Sequence, residues 1–272
     1  MNADVYNRLR TIVYERSGIR IKDGKASMVA SRIARRLRAL NLRDELEYVQ
    51  HLETTMEEEI VHLLDAISTN VTSFFREPHH FDLVREVFPR WLKAGQRRFR
   101  FWSSACSSGE EPYTLAMTLL EAAAEAGVRG SLDVKILATD ISTEILSYAQ
   151  EGVYEERRTQ GVPPELRRRH FQQRSVAGEP VYAVSPELRQ MVVFRRMNLS
   201  QPPFPMRGPM DMVFCRNVMI YFDDPVKDGL MREFHRLLRP DGYLFVGHAE
   251  SLTRAADRFS RAGSSVYTPL RA

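Results

Sequence analysis

Four short stretches place polar or acidic side chains where apolar runs end, the positions at which a sheet hands its residues to a ligand. In SACSSGEEPY, Glu110 and Glu111 open a helical pattern directly after Gly109. Asp140 closes LDVKILATD, Asn198 follows MVVFRRM, and Asn217 follows the apolar run DMVFC through Arg216. Two carboxylates at a helix start repel a pyrophosphate, because the positive end of the helix is already claimed by the protein's own anions. They accommodate a cationic ligand instead. A sulfonium nucleoside carrying an α-amino group, S-adenosylmethionine, meets that requirement. The same glutamates also serve simply as dipole partners, and both roles stay open at this level. Asp140 suits ribose hydroxyls at the end of a second strand, or the cap of the next helix. Asn198 suits an adenine edge or a tight turn.

The elements that must position these residues are legible in the rhythm of the chain. RFRFWSSA reads as a short strand, followed by a glycine-containing loop with Ser107 or Ser108 as the expected cap of helix YTLAMTLLEAAAEAG, which stops at Gly127. LDVKILATD is a second strand and STEILSYAQEG a second helix. MVVFRRMNL, DMVFC, the helix PVKDGLMREFHRLLR, GYLFVGH and SSVYTPL continue the alternation. Strand and helix in alternation imply an α/β fold, a doubly wound parallel sheet whose ligand crevice lies at the carboxyl ends of its strands. Residues 155–190 break the rhythm with a basic, turn-rich insertion containing one hairpin from about His170 to Val184.

Residues 1–70 are different in kind. They read as helices with short connections, with Val29, Ile33, Leu37 and Leu40 on one face of SMVASRIARRLRALN and Arg32, Arg35, Arg36 and Arg38 around the rest. Eleven Lys/Arg stand against three Asp/Glu in residues 1–43, whereas residues 44–65 hold eight Asp/Glu and no Lys/Arg. That asymmetry fits a nucleic acid, an anionic membrane, an acidic protein or a solvated face. The two cysteines, Cys106 and Cys215, are far apart and give no zinc or disulfide spacing. His79, His80 and His248 lack ligand spacing, so no metal is expected. The N-terminus carries charge from residue 4 and has no signal-peptide pattern, and no apolar run reaches the roughly 20 residues that span a bilayer. A cytoplasmic location is the expectation.

TNVTSFFREPHHF (69–81), WSSACSSGEEPYTLAM (102–117), ILATDIS (136–142), FRRMNL (194–199) and FCRNVMIYFD (214–223) together resemble the successive signatures of the chemotaxis receptor methyltransferase (CheR) family, nearly end to end and in family order. The resemblance implies a Rossmann-like, class I S-adenosylmethionine methyltransferase sheet with a small all-helical N-terminal domain (1–76), a catalytic domain (77–272) and an inserted antiparallel β-subdomain at about 165–190. It implies esterification of glutamate γ-carboxyls on methyl-accepting chemoreceptors, with S-adenosylhomocysteine as coproduct. Cofactor contacts are then expected from Asn70, Thr72, Arg76, Glu111, Asp140, Asn198, Leu199, Asn217 and Val218, with Arg76 and Tyr221 near the reacting methyl. The resemblance assigns docking on the receptors' cytoplasmic helical bundle to residues 25–43, hence to Arg32, Arg35, Arg36 and Arg38, and recruitment to membrane receptor arrays. A monomer is the family expectation, without membrane insertion or nucleic-acid binding. Tether-binding members hold a receptor pentapeptide with a glycine-spaced loop; RSVAGEP offers only Gly178. A nucleic-acid methyltransferase and a non-catalytic S-adenosylmethionine sensor are the rival readings.

Overall fold

The computed structural model describes residues 1–128 and 130–270. Four helices form the N-terminal unit: α1 (Ala3–Ser17), α2 (Ala26–Ala39), α3 (Glu45–Thr54) and α4 (Met56–Ile67). Local chemistry sets their ends. The Asn2 side chain accepts the Val5 N–H at 2.9 Å to start α1, and Gly18, at φ 69°, ends it. Asp44 caps α3 in the same way. Leu9, Val13, Val29, Ile33, Tyr48, Leu52 and Leu63 close a core that belongs to this unit. Fully burying each such side chain contributes about 1.5–3 kcal/mol.

After α5 (His79–Lys93) the alternation begins with β1 (Arg98–Ser103), α6 (Glu110–Glu125), β2 (Asp133–Asp140) and α7 (Thr143–Glu151). The insertion follows: β3 (Val153–Glu155), α8 (Glu156–Thr159), α9 (Pro164–His170), β4 (Phe171–Val176), β5 (Glu179–Val184) and α10 (Pro186–Met191). The sheet resumes with β6 (Val192–Arg196), β7 (Met210–Cys215), α11 (Asp224–Leu237), β8 (Leu238–Val246), β9 (Phe259–Gly263) and β10 (Val266–Pro269). Its strand order is β6-β2-β1-β7-β8-β10-β9, with the first five parallel and β10 antiparallel to both neighbours. Order reverses between β1 and β7, and that switch point opens the crevice. β7 is buried along its whole length because both faces are covered. Met212 and Phe214 enter one apolar core, and Val213 and Cys215 the other.

Three expectations change. The sheet is mixed at its far edge, where β10 runs antiparallel and pairs with β9, an edge strand that no apolar alternation in FSRAG announced. The inserted sheet has three strands, in the order β3-β5-β4, and starts at Val153, because Val153–Glu155 pairs with Val181–Ala183. Neither Ser107 nor Ser108 caps α6. Gly109 takes that position at φ 94°, and a Cβ there would stand 2.8 Å from the Tyr154 hydroxyl. The Ser108 hydroxyl donates to Glu110 instead.

Candidate active site

A cleft of about 980 Å³, counted with its solvent-open mouth, lies over the carboxyl ends of β1, β2, β6 and β7. Its other wall comes from the helical unit, through Ser17 and Ile19 at and beyond the end of α1 and residues 67–73 from the end of α4 onward. The two units are tied together beside it. Asp65 accepts the Thr143 N–H and hydroxyl at 2.9 and 3.0 Å, and the Asn198 amide donates to the Arg16 carbonyl at 2.7 Å.

The floor is the loop from Ser104 to Gly109. The Ser104 N–H donates to the Phe214 carbonyl and the Cys106 N–H to the Thr139 carbonyl, each at 2.8 Å, so the loop is pinned across three strand ends. The Ser107 N–H donates to Asp140 Oδ2 at 2.9 Å, and Ser142 N–H to Oδ1 at 3.1 Å. Burial pushes the Asp140 carboxyl up, against the pull of those N–H groups. The Ser107 hydroxyl is buried at the cleft and has no hydrogen-bond partner. An orphaned hydroxyl next to an oriented carboxylate suits a polar ligand such as a ribose.

At the opposite end Glu111 is buried behind the loop. The Ser103 hydroxyl donates to Oε1 at 2.7 Å and Arg216 Nη1 to Oε2 at 3.0 Å. Burial raises the Glu111 carboxyl, with Arg216 opposing the rise. Arg216 also faces Glu77 at 3.3 Å and donates to the Arg76 carbonyl, so one buried guanidinium at the end of β7 joins the TNVTSFFRE segment to the start of α6. Burial pushes the Glu77 carboxyl up, but Arg216, the His248 N–H and the Asn217 amide outweigh it and hold it below its usual value. Asn217 sits at φ 59°, with its N–H given to Glu250 at 2.9 Å. Glu250 also accepts the Gly247 N–H at 2.6 Å, and burial raises its carboxyl.

The structure brings Asn70, Thr72, Arg76, Glu111, Asp140, Asn198, Leu199, Asn217, Val218 and Tyr221 together on the walls of this one cleft. Their side chains are not equally available. Asn198 is engaged as a turn former: its Oδ1 accepts from the Ser200 N–H and hydroxyl at 3.0 and 2.8 Å, and its amide goes to Arg16. Glu110 faces away from the cleft into Arg158 at 2.9 Å, so the paired-acid argument for a cation reduces to Glu111.

The four arginines of α2 are likewise divided. Arg32 donates to the Ile67 carbonyl, to the Ser68 carbonyl at 2.9 Å and to Thr69 Oγ1 at 3.1 Å, capping α4. Arg36 is bound at 2.9 and 2.6 Å to the buried Glu59, which also accepts the Tyr48 hydroxyl. Arg35 pairs at the surface with Glu144 of α7 at 2.8 Å. Arg38 stands exposed without an ion-pair partner among the described residues.

Sequence reasoning did not assign Arg216, Glu77, Glu250, Ser107 or Ile19 to the site. Arg216 had a usable signal. An arginine immediately after a fully buried strand is itself buried only if acids meet it, and such acids were to be sought near other strand ends. Ile19 had none, because its contact is made across the two units.

Strand order, the switch-point cleft and the oriented acid after β2 define a Rossmann-like nucleotide-binding fold of the methyltransferase type, joined to a helical unit. Family comparison is concordant: residues 70–268 match "CheR methyltransferase, SAM binding domain" and residues 4–68 match "CheR methyltransferase, all-alpha domain". The chain is 41% identical over 266 residues to chemotaxis protein methyltransferase 2 of Pseudomonas aeruginosa, covering 97% of this chain and 92% of that protein. It is 38% identical over 263 residues to the chemotaxis protein methyltransferase of Escherichia coli, covering 96% and 89%. The Borreliella burgdorferi chemotaxis protein methyltransferase is 38% identical over 255 residues, with 92% and 88% covered. The chain belongs to the CheR methyltransferase family. S-adenosylmethionine is its methyl donor, and the Ser107–Asp140 and Glu111 ends of the cleft have the chemistry to hold it.

Proposed function

We propose that the protein transfers a methyl group from S-adenosylmethionine to glutamate γ-carboxylates on the cytoplasmic helical bundle of chemoreceptors. One observation carries the reading. Among the described residues the cleft walls contain no histidine, lysine or cysteine, and their two carboxylates are committed, Glu111 to Ser103 and Arg216, Asp140 to backbone N–H groups. A site without a free base suits a nucleophile that is already ionised. Glutamate, with a pKa of about 4.3, is such a group at neutral pH.

The bound cofactor supplies an electrophilic methyl carbon on a sulfonium. It would offer that carbon to a carboxylate oxygen of the substrate, and because the carboxylate is already ionised the protein would have no proton to remove. The protein's contribution is position, for which proximity alone can supply about 7–11 kcal/mol. Arg76 lies at the mouth, its Nη1 donating to the Val71 carbonyl at 2.8 Å. It holds the cofactor's own carboxylate or steers the substrate. Clamping the attacking oxygen would oppose a reaction in which negative charge is lost. Tyr221, half-buried at the same mouth, orients the substrate carboxyl.

Named relatives act in chemotaxis, and the basic α2 with its exposed Arg38 suits an acidic partner. Among the described residues no helix is long and apolar enough to cross a membrane. The proposed setting is the cytoplasm, with a monomer recruited to receptor arrays. The β4–β5 turn, Ala177–Gly178, carries a single glycine, and a receptor pentapeptide at this β-subdomain is the part of the partner surface that the tail-deletion comparison below tests.

The test is transfer of a labelled methyl to receptor-containing membranes, with and without receptor C-terminal tails. Label released as methanol in mild alkali identifies the ester. Alkali-stable label, or transfer to nucleic acid in preference to receptor, would overturn the reading.

A further inference from the structure

Three of the four α2 arginines are engaged within the chain, Arg32 by the end of α4, Arg36 by the buried Glu59 and Arg35 by Glu144 at the surface. Two cations without an ion-pair partner among the described residues stand elsewhere, next to Tyr221. The connection from α1 to α2 crosses the Tyr221 turn, and its Arg20 N–H donates to the Tyr221 carbonyl at 2.8 Å. Ile19 lines the cofactor cleft and Ile21 is buried, so the alternate residues Arg20 and Lys22 are left exposed. With Arg10 and Ile220 they wall a second groove of about 680 Å³, which shares Tyr221 and Phe222 with the cofactor cleft. The neighbouring acids form no ion pair with either cation: Asp23, also on the groove wall, pairs with Arg10 at 2.6 Å, and Asp223 accepts the Val226 N–H and the Tyr14 hydroxyl, so it offsets the positive charge only in part. Ile220 is 47% exposed at the rim.

We infer that this groove seats the acidic helical segment flanking the target glutamate, with Arg20 and Lys22 facing its carboxylates and Ile220 taking an apolar side chain. The inference rests on the carboxyl-methylation reading and specifies where the substrate lies. A helix that offers one carboxyl at Tyr221 places its next turn about 5.4 Å away along its axis. The groove starts at that tyrosine and continues the same opening. Its charge is complementary to an acidic bundle, and charges of this exposed kind govern encounter and register more than chemistry.

The experiment compares the full-length chain with Arg20→Glu/Lys22→Glu and Arg20→Gln/Lys22→Gln. Both positions are exposed, and the Arg20 N–H bond survives any side chain. Receptor methylation is measured at low and at physiological salt, and S-adenosylmethionine affinity by calorimetry. The charge-reversed variant is expected to lose about tenfold in kcat/KM at low salt, through KM, with a smaller deficit at higher salt. The Gln variant is expected to lose less, and cofactor Kd to stay at the parent value. A kcat/KM within twofold of the parent, a loss confined to kcat, or a loss mirrored in cofactor Kd would overturn the groove assignment. If the unaltered chain transfers no methyl to receptors, the carboxyl-methylation reading itself fails, and the groove assignment with it.

Discussion

Arg216 Nη1 lies 3.0 Å from Glu111 Oε2, with both side chains buried. The guanidinium that steadies this acid also faces Glu77 and carries the Arg76 carbonyl. Two acids that would repel each other in a dry interior are thereby held around one cation, and the Arg76 segment is fastened to the sheet. Removing one member of such a pair strands the rest.

Arg216→Met is therefore expected to destabilise the fold by about 3–5 kcal/mol and to weaken S-adenosylmethionine binding at least tenfold. Adding Glu111→Gln should recover part of the stability, because it removes the stranded charge, without recovering the affinity. Chemical denaturation and calorimetry on the single and double variants read the two effects separately.

Arg32 is expected to behave as a cleft residue. It holds the carbonyls that end α4, and the chain continues from there into Asn70 and Thr72. Arg32→Ala should raise the cofactor Kd by about three- to tenfold, the loss of one or two charge-assisted hydrogen bonds. Arg38→Ala should leave cofactor binding unchanged. Titration of both variants with S-adenosylhomocysteine discriminates them.

Gly247 packs where no side chain fits. A Cβ there would come within 2.6 Å of the Asn217 amide, 2.7 Å of Glu250 Oε2 and 2.8 Å of the Asn217 N–H nitrogen. Gly247→Ala should displace the Asn217 turn and cost at least tenfold in cofactor affinity, with a lowered melting temperature. Unaltered calorimetric binding would show that the turn can yield.

His80 is fully buried, and neither ring nitrogen has a hydrogen-bond partner among the described residues, although Nδ1 lies 3.5 Å from Glu77 Oε2. Burial, reinforced by Arg216 and His79, lowers its pKa to about 3. The unfolded chain thus binds a proton that the folded chain refuses between about pH 6.5 and 3, and stability falls as pH falls through that window. The slope from this group approaches about 1.4 kcal/mol per pH unit. Glu111, Asp140 and Glu250 act in the opposite sense, since their raised values make protonation of the folded state favourable as pH drops. The clean readout is the difference between the parent and His80→Gln. The variant should lose less stability on acidification from pH 6.5, and parallel curves would remove His80 from the account.

Much of this architecture is legible in the amino-acid sequence. Apolar periodicity and strand-helix alternation determined a helical unit followed by a doubly wound sheet, since those periods decide which faces can be buried. The polar residues at the ends of LDVKILATD and DMVFC marked the crevice because a strand buried on both faces meets solvent only where it stops. The edge strand β9 was not legible: FSRAG holds its place by pairing with the antiparallel β10, not by its own alternation. Nor was the division of labour among side chains. Asn198 and Arg36 have types suited to a ligand and a partner, yet their hydrogen-bonding capacity is taken by Arg16, Ser200 and Glu59. Sequence lists donors and acceptors, and tertiary contacts decide which of them are already satisfied. The same holds for Ile19, Arg20 and Lys22, which reach the cleft mouth only because the helical unit folds back onto Tyr221. Local chemistry therefore determined the elements and the edge on which a ligand binds. Long-range packing alone decided which charges remain free to meet it.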